Sequence, residues 1–269
     1  MQEKLHSVRG VLFDLDGVFW RGADPLPGGP ECVAKLREAG LSVRFVSNNS
    51  SFDRQGIVDQ LNRFGIDAQR DEVFVATHAL AREIARREPR ATVYLIGAPG
   101  LRRELEERGL RVIDEPEEID YLTDFVVASD DPELSMAKLT RALRCLLKGA
   151  KFATPNLDIV YPVEDGLVPG AGVIAAAVSA MAGREPDIMI AKPKPHLLLQ
   201  AAKSMDLAPE QCLMVGDSLK SDIPAAAAAG MPSLLVLSGG ATREEIDKAE
   251  LKPTFVAGSV ADVPGLLGI

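Results

Sequence analysis

Apolar runs of strand length recur along the chain, and helical segments separate them. VLFD at 11–14, SVRFVS at 42–47, DIMIA at 187–191, CLMVGD at 212–217 and PSLLVLSGG at 232–240 carry the pattern. Between the first two, Cys32, Val33, Leu36 and Ala39 recur at helical spacing, and Gly40 stands where a helix stops. Further helical segments run around 52–64, ending at Gly65, and at about 195–205, followed by SDIPAAAAAG at 221–230 and TREEIDKAE at 242–250. PTFVA at 253–257 ends the series. Doubly apolar strands alternating with helices predict a parallel sheet covered on both faces. Such a sheet collects functional groups beyond the carboxyl ends of its strands.

The middle of the chain repeats the alternation within a block of its own. TVYLIG at 92–97, RVIDE at 111–115, DFVVAS at 124–129, an amphipathic helix near 132–148 and KFAT at 151–154 make up this block. The expected fold is therefore α/β, with a Rossmann-like parallel-sheet core of residues 1–80 and 186–269 and an inserted α/β cap domain of 81–185.

Composition narrows the function classes. Apolar residues are 46% and charged residues 26% of the 269, as in soluble globular domains. A formal charge of -9 argues against a nucleic-acid partner, which selects for a basic face. Cys32, Cys145 and Cys212 lie far apart, as do His6, His78 and His196. Dispersed thiols fit a reducing cytoplasm better than a disulfide framework or a zinc site. The start, MQEKLHSVRG, lacks the apolar stretch of a secretion signal. No window reaches the roughly 18 to 20 apolar residues of a membrane span, so the expectation is a cytoplasmic protein with no membrane partner.

Four strand ends hold the chemistry. They carry Asp14 and Asp16; Ser47, Asn48 and Asn49; Lys192; and Asp217 with Asp222. If all four strands are parallel, these residues share one edge of one sheet. Two unit charges at about 4 Å repel by about 4 kcal/mol at an effective dielectric of 20. One lysine is too little compensation for four carboxylates, so the pattern calls for a divalent cation. Oxygen ligands without Cys or His point to a hard ion, Mg2+ before Ca2+.

Plainer readings exist for each group. Asp14 and Asp16 could end a strand in an Asx turn, and Ser47, Asn48 or Asn49 could cap the next helix. Lys192 could be a surface residue, and Asp222 could cap the alanine-rich helix. Trp20 could face a cleft between the two domains or fill their interface. His196 reads as a helix start, and the PGAG turn at 169–172 as a hinge or as a tight turn before a helix.

DLDGVFW, VSNNSS, KPKP and GDSLKSD, in this order, resemble the four motifs of the haloacid dehalogenase superfamily of phosphatases. The resemblance covers essentially the whole chain. The large insert, and FATPNLDIVYPVEDGLVPGAG at 152–172, resemble the NagD-like branch with a large α/β cap. That branch includes phosphatases of phosphoglycolate, pyridoxal phosphate and nitrophenyl phosphate. The resemblance implies that Asp14 is a nucleophile forming an aspartyl-phosphate and also binds Mg2+. Asp16 would be the general acid and then base, its carbonyl a metal ligand. Ser47 and Asn48 would hold phosphoryl oxygens, and Lys192 would neutralise charge on nucleophile and phosphate. Asp217 would ligate Mg2+ directly, with Asp222 and Asn49 acting from behind. Ala191, Ser221 and Pro155 depart from the family's usual residues at supporting positions.

The implied activity is Mg2+-dependent hydrolysis of a small phosphorylated metabolite, with cap residues around 156–161 and 97–103 choosing the substrate. A phosphomutase on the same scaffold and a non-catalytic phospholigand-binding protein are the rivals. The branch also implies pairing of two copies through their caps.

Overall fold

Every residue of strand Gly10–Phe13 is buried, as an unbroken apolar run requires when both faces of a sheet are covered. The computed structural model describes residues 3–163 and 166–269; Glu164 and Asp165, inside the 152–172 stretch, lie outside the described residues. Contacts divide the chain into two compact units. One comprises Met1–Ser47, Ile57–Phe74 and Lys192–Ile269, the other Asn48–Gly56 and Val75–Ala191. The sequence boundaries at 80/81 and 185/186 therefore stand against divisions at 74/75 and 191/192, and the short segment Asn48–Gly56 groups with the insert.

The first unit is built on a six-stranded sheet. Its order is Phe255–Ala257, Ser233–Val236, Cys212–Gly216, Gly10–Phe13, Ser42–Ser47, Val73–Val75. Gly10–Phe13 pairs in parallel with both Cys212–Val215 and Ser42–Phe45. Helix Gly29–Glu38 buries Cys32, Val33 and Leu36 on the face that the spacing predicts. Gly40 follows it with φ +80, and Leu41 N donates to Leu36 O at 3.0 Å, a left-handed closure that suits glycine. Helix Asp222–Ala229 buries Ala225, Ala226 and Ala229. Those small side chains let its backbone lie close over the flanking strands.

The second unit has a five-stranded parallel sheet in the order Ile188–Met189, Lys151–Thr154, Phe125–Ala128, Thr92–Ile96, Arg111–Ile113. Its core includes Tyr94, Ile96, Val126, Phe152 and Val178. Helix Met136–Leu147 starts at Ser135, whose side chain accepts from Lys138 N. The PGAG turn leads into helix Ala171–Ala182, and Gly172 is pressed on the carbonyl of Leu157 so closely that a Cβ would overlap it. That is a packing reason for the glycine.

One expectation needs correction. DIMIA is not a strand of the first sheet: Ile188 and Met189 pair with Ala153 and Thr154 at the edge of the second. A two-residue strand carries too little pattern to reveal which sheet it joins. Lys192 thus arrives from the end of the other unit's edge strand, on a loop that begins the return to the first.

Candidate active site

The strand order of the first sheet reverses its direction of growth at Gly10–Phe13. From there the chain builds outward to Ser42–Ser47 on one side and, after the insert, to Cys212–Gly216 on the other. At such a switch point the loops beyond the two strands part, leaving a crevice at their carboxyl ends. Asp14 is the first residue past one strand, and Asp217 the first past the other. Backbone pairing continues to the last step, since Asp14 N donates to Val215 O at 2.8 Å.

Four side chains meet there. Lys192 Nζ donates to Asp14 Oδ1 at 2.6 Å and to Asp222 Oδ1 at 2.7 Å. It also reaches Val46 O at 3.3 Å, beside Ser47 on the neighbouring strand. Asp222 is fully buried, and its second oxygen accepts Asp217 N at 3.1 Å and Ser218 N at 3.0 Å. Asp222 sits at the first turn of helix Asp222–Ala229, where the helix dipole favours a carboxylate. It therefore spans the lysine and the Asp217 loop. The plain reading as a helix cap and the functional one meet here, because the helix-start position aims the side chain at Asp217 N and Ser218 N rather than at its own helix.

Oxygens of Asp14, Asp217 and Asp222 lie within 4.8 Å of one another. With both Asp222 oxygens engaged, Asp14 and Asp217 are the pair left to meet a cation. Two or fewer carboxylates completed by water and substrate oxygen is how Mg2+ is commonly held. The site's electrostatics point the same way. Burial raises the Asp14 carboxyl well above its ordinary value; Asp222 and Asp217 add to this, and Lys192 opposes it. Asp217 is pushed up to about 7, first by burial and then by Asp222. Burial works against the charge on Lys192, but Asp14 and Asp222 outweigh it and hold its pKa above the ordinary lysine value. The lysine stays charged while the carboxylates around it compete for protons. A divalent cation relieves that competition.

Asp16 is separated from this cluster by the turn it starts. Its Oδ1 accepts Trp20 Nε1 at 2.8 Å, and Gly17 N donates to Trp20 O at 2.7 Å. Gly17, with φ +75, makes a turn that a side chain would disfavour. Solvent reaches Asp16, yet protein crowds the carboxyl from its other sides and raises its pKa; the Trp20 bond pulls the other way. A raised carboxyl in reach of solvent suits a proton donor. Trp20 itself is buried, packs at 5.6 Å against the tilted ring of Phe64 within the same unit, and holds the Asp16 carboxylate through its indole N–H.

Ser47 ends its strand buried, next to Val46. Asn48 and Asn49 follow in the chain but are held by the second unit's own residues. Asn48 Nδ2 donates to Asp158 Oδ2 at 3.1 Å, and Asn156 Nδ2 donates to Asn48 O at 2.7 Å. Asn49 Oδ1 accepts Ser51 N at 3.0 Å and Phe52 N at 2.8 Å, an Asx turn. The cap of helix Arg54–Arg63 is a different residue, Asp53, which accepts Gly56 N at 2.8 Å. Sequence reasoning missed Ser238 and Gly239, which touch the DLDG turn and Asp217. The available signal was the Gly-Gly pair closing PSLLVLSGG.

Comparison with known proteins identifies the family. Residues 11–111 match the haloacid dehalogenase-like hydrolase family, and residues 189–263 match a second family described as HAD-hydrolase-like. An acid sugar phosphatase of Staphylococcus saprophyticus is 34% identical over 251 residues, covering 93% of this chain and 95% of its own. The solved p-nitrophenyl phosphatase from Archaeoglobus fulgidus is 37% identical, with a TM-score of 0.88 over 96% of this chain and 98% of its own. A glycerol phosphate phosphatase from Mycobacterium tuberculosis, solved in complex with calcium, is 30% identical, with a TM-score of 0.86 over 97% of this chain and 76% of its own.

Proposed function

The chain belongs to the haloacid dehalogenase-like hydrolases and is a phosphatase, and we propose that it hydrolyses a small phosphomonoester with Mg2+ through an aspartyl-phosphate on Asp14. The observation that carries this reading is the buried Asp14–Lys192–Asp222 chain beside Asp217. A carboxylate held at 2.6 Å by a charged lysine is oriented to attack, and the lysine opposes the rise that burial imposes on its pKa. Asp14 and Asp217 would hold the cation, which shields the phosphoryl charge and allows the nucleophile's approach. The carbonyl of Asp16 is the further ligand that the family resemblance supplies.

In the first step an Asp14 oxygen bonds to phosphorus as the ester P–O bond breaks. Asp16 gives its proton to the leaving alcohol oxygen. In the second step water attacks phosphorus, Asp16 takes the proton back, and the Asp14–phosphorus bond breaks to free inorganic phosphate. Lys192 and Ser47 stabilise the phosphoryl oxygens throughout. The residue set is the same whichever small phosphomonoester binds, and the names of the relatives span sugar, aryl and glycerol phosphates. Buried, unpaired Cys32, Cys145 and Cys212 support a reducing compartment such as the cytoplasm, and no helix among the described residues is long and apolar enough to cross a membrane.

The test is turnover of p-nitrophenyl phosphate in Mg2+ by Asp14→Asn. Loss of a nucleophile is expected to lower kcat by a factor on the order of a thousand or more. Activity within tenfold of the wild type would remove Asp14 from the mechanism.

A further inference from the structure

The loop after strand Ser233–Val236 lies outside all four strand-end motifs, yet it closes on the Asp217 carboxylate. A Cβ added to Gly239 would overlap the Cβ, Cγ and Oδ2 of Asp217; one added to Gly17 would overlap Cγ and Oδ2 of the same side chain and lie 2.8 Å from Gly239 Cα. Asp217 Oδ2 is thus flanked by two bare backbones, one from each loop. Ser238 Oγ donates to Gly17 O at 2.7 Å, tying the loops together. Arg21 donates in turn to Ser238 O. The short helical turn Leu237–Gly239 gives this contact a fixed shape.

Gly239 and Gly240 are glycines for opposite reasons. Gly240 has φ +111 and nothing within 4 Å of an added Cβ; its need is conformational. Gly239 has no left-handed φ, and the atoms nearest an added Cβ all belong to Asp217. The Asp217 side chain is what a side chain there would meet first.

We propose that the Ser238–Gly239 turn is a positioning element that fixes the Asp217 carboxylate for the divalent cation. Gly239 leaves the carboxylate its place beside Gly17, and Ser238 holds the Gly17 turn against it. This rests on the reading of Asp217 as a metal ligand. Asp217 is the neighbour that an added side chain meets first, so Gly239→Ala pushes on the ligand carboxylate directly. Contacts that orient metal ligands commonly contribute ten- to hundredfold in affinity.

The experiment is calorimetric titration of the full-length, substrate-free protein with MgCl2, alongside thermal unfolding of each metal-free variant. Wild type should bind Mg2+ and Asp217→Asn should not; if either fails, the ligand assignment itself falls. Given that, Gly239→Ala is expected to weaken Mg2+ binding by about tenfold, and Ser238→Ala by about threefold. Gly240→Ala should lower the unfolding temperature and leave Mg2+ affinity unchanged. A change in affinity below about threefold for Gly239→Ala overturns the proposal. So does an equal loss of affinity in Gly240→Ala, which would make the effect one of general loop damage. If Gly239→Ala does not fold, Ser238→Ala decides alone: weaker Mg2+ binding supports the role, and wild-type binding overturns it.

Discussion

The two sheets obey one topological rule and meet its consequence in opposite ways. Parallel pairs run through both, and each reverses its growth once: the first between Gly10–Phe13 and Cys212–Gly216, the second between Thr92–Ile96 and Phe125–Ala128. Both reversals open a crevice at the strand carboxyl ends. In the first sheet that crevice is lined by Asp14 and Asp217, whose charges have too few partners. In the second it is covered by the segment Asn48–Gly56, which belongs to the same unit. Ser129 Oγ donates to Ser50 O at 3.0 Å, and Asp130 accepts from the hydroxyls of Ser50 and Ser51. Gly100 lets the Ser51 carbonyl lie against the helix that follows Thr92–Ile96. Buried Glu104 accepts Arg54 N at 2.9 Å, with His78 on its other oxygen.

Topology makes the crevice in each sheet, and hydrogen-bond accounting decides its use. Where the chain satisfies the polar groups itself, the crevice becomes a structural seat. Where it leaves like charges together, the crevice demands a ligand. The segment seated on the second sheet begins at Asn48, the residue that follows Ser47 in the chain.

The largest expected effect comes from Lys192→Ala, which leaves Asp14 and Asp222 buried without their shared cation. At pH 8 the metal-free protein should lose about 3 to 5 kcal/mol of stability, and phosphatase activity should fall with it. Denaturant unfolding measures the first quantity. A loss under about 1 kcal/mol would mean that the carboxylates are better partnered than their contacts indicate.

Next is the pH dependence. A carboxyl whose folded-state pKa is raised stabilises the fold below its unfolded value and ceases to do so as pH rises through the folded one. With Asp217 raised to about 7 and Asp14 raised in the same direction, metal-free stability should decline between about pH 4 and pH 7. The melting temperature gained on adding Mg2+ should grow over the same interval, since the ion replaces protons. Scanning calorimetry with and without Mg2+ checks this; a metal-induced shift independent of pH would contradict it.

The smallest effect is expected at the second sheet. Asp130→Ala removes the acceptor for two hydroxyls and should cost about 1 to 2 kcal/mol. Its consequence for turnover should appear in KM, through the segment that carries Asn48, and kcat should stay within about threefold. A hundredfold fall in kcat would erase the contrast and place chemistry on the second sheet as well.

Much of this was legible in the residues. The apolar run before Asp14 has to be buried on both faces, and a strand ending in DLDG has to release its acids at the sheet edge. The same logic applies to CLMVGD, and the helical spacing of Cys32, Val33 and Leu36 is a matter of period alone. Local sequence determines these because each depends on neighbours a few positions away. Lys192 shows where that reach ends. Its loop leaves a two-residue strand, and whether Ile188 and Met189 pair with the first sheet or the second is settled by partners about 35 residues upstream, at Ala153 and Thr154.

The seat under Asn48–Gly56 and the clamp on Asp217 were not legible either. A serine that donates to a carbonyl 221 positions away, or a glycine kept bare by a distant carboxylate, has no local signature. Local sequence sets the strands, the acids at their ends and the charge imbalance that asks for a cation. Tertiary structure alone decided which acids share Lys192, which one is turned aside onto Trp20, and which crevice remains for a ligand. Pairing energies are local to atoms in space, and only the folded chain says which atoms those are.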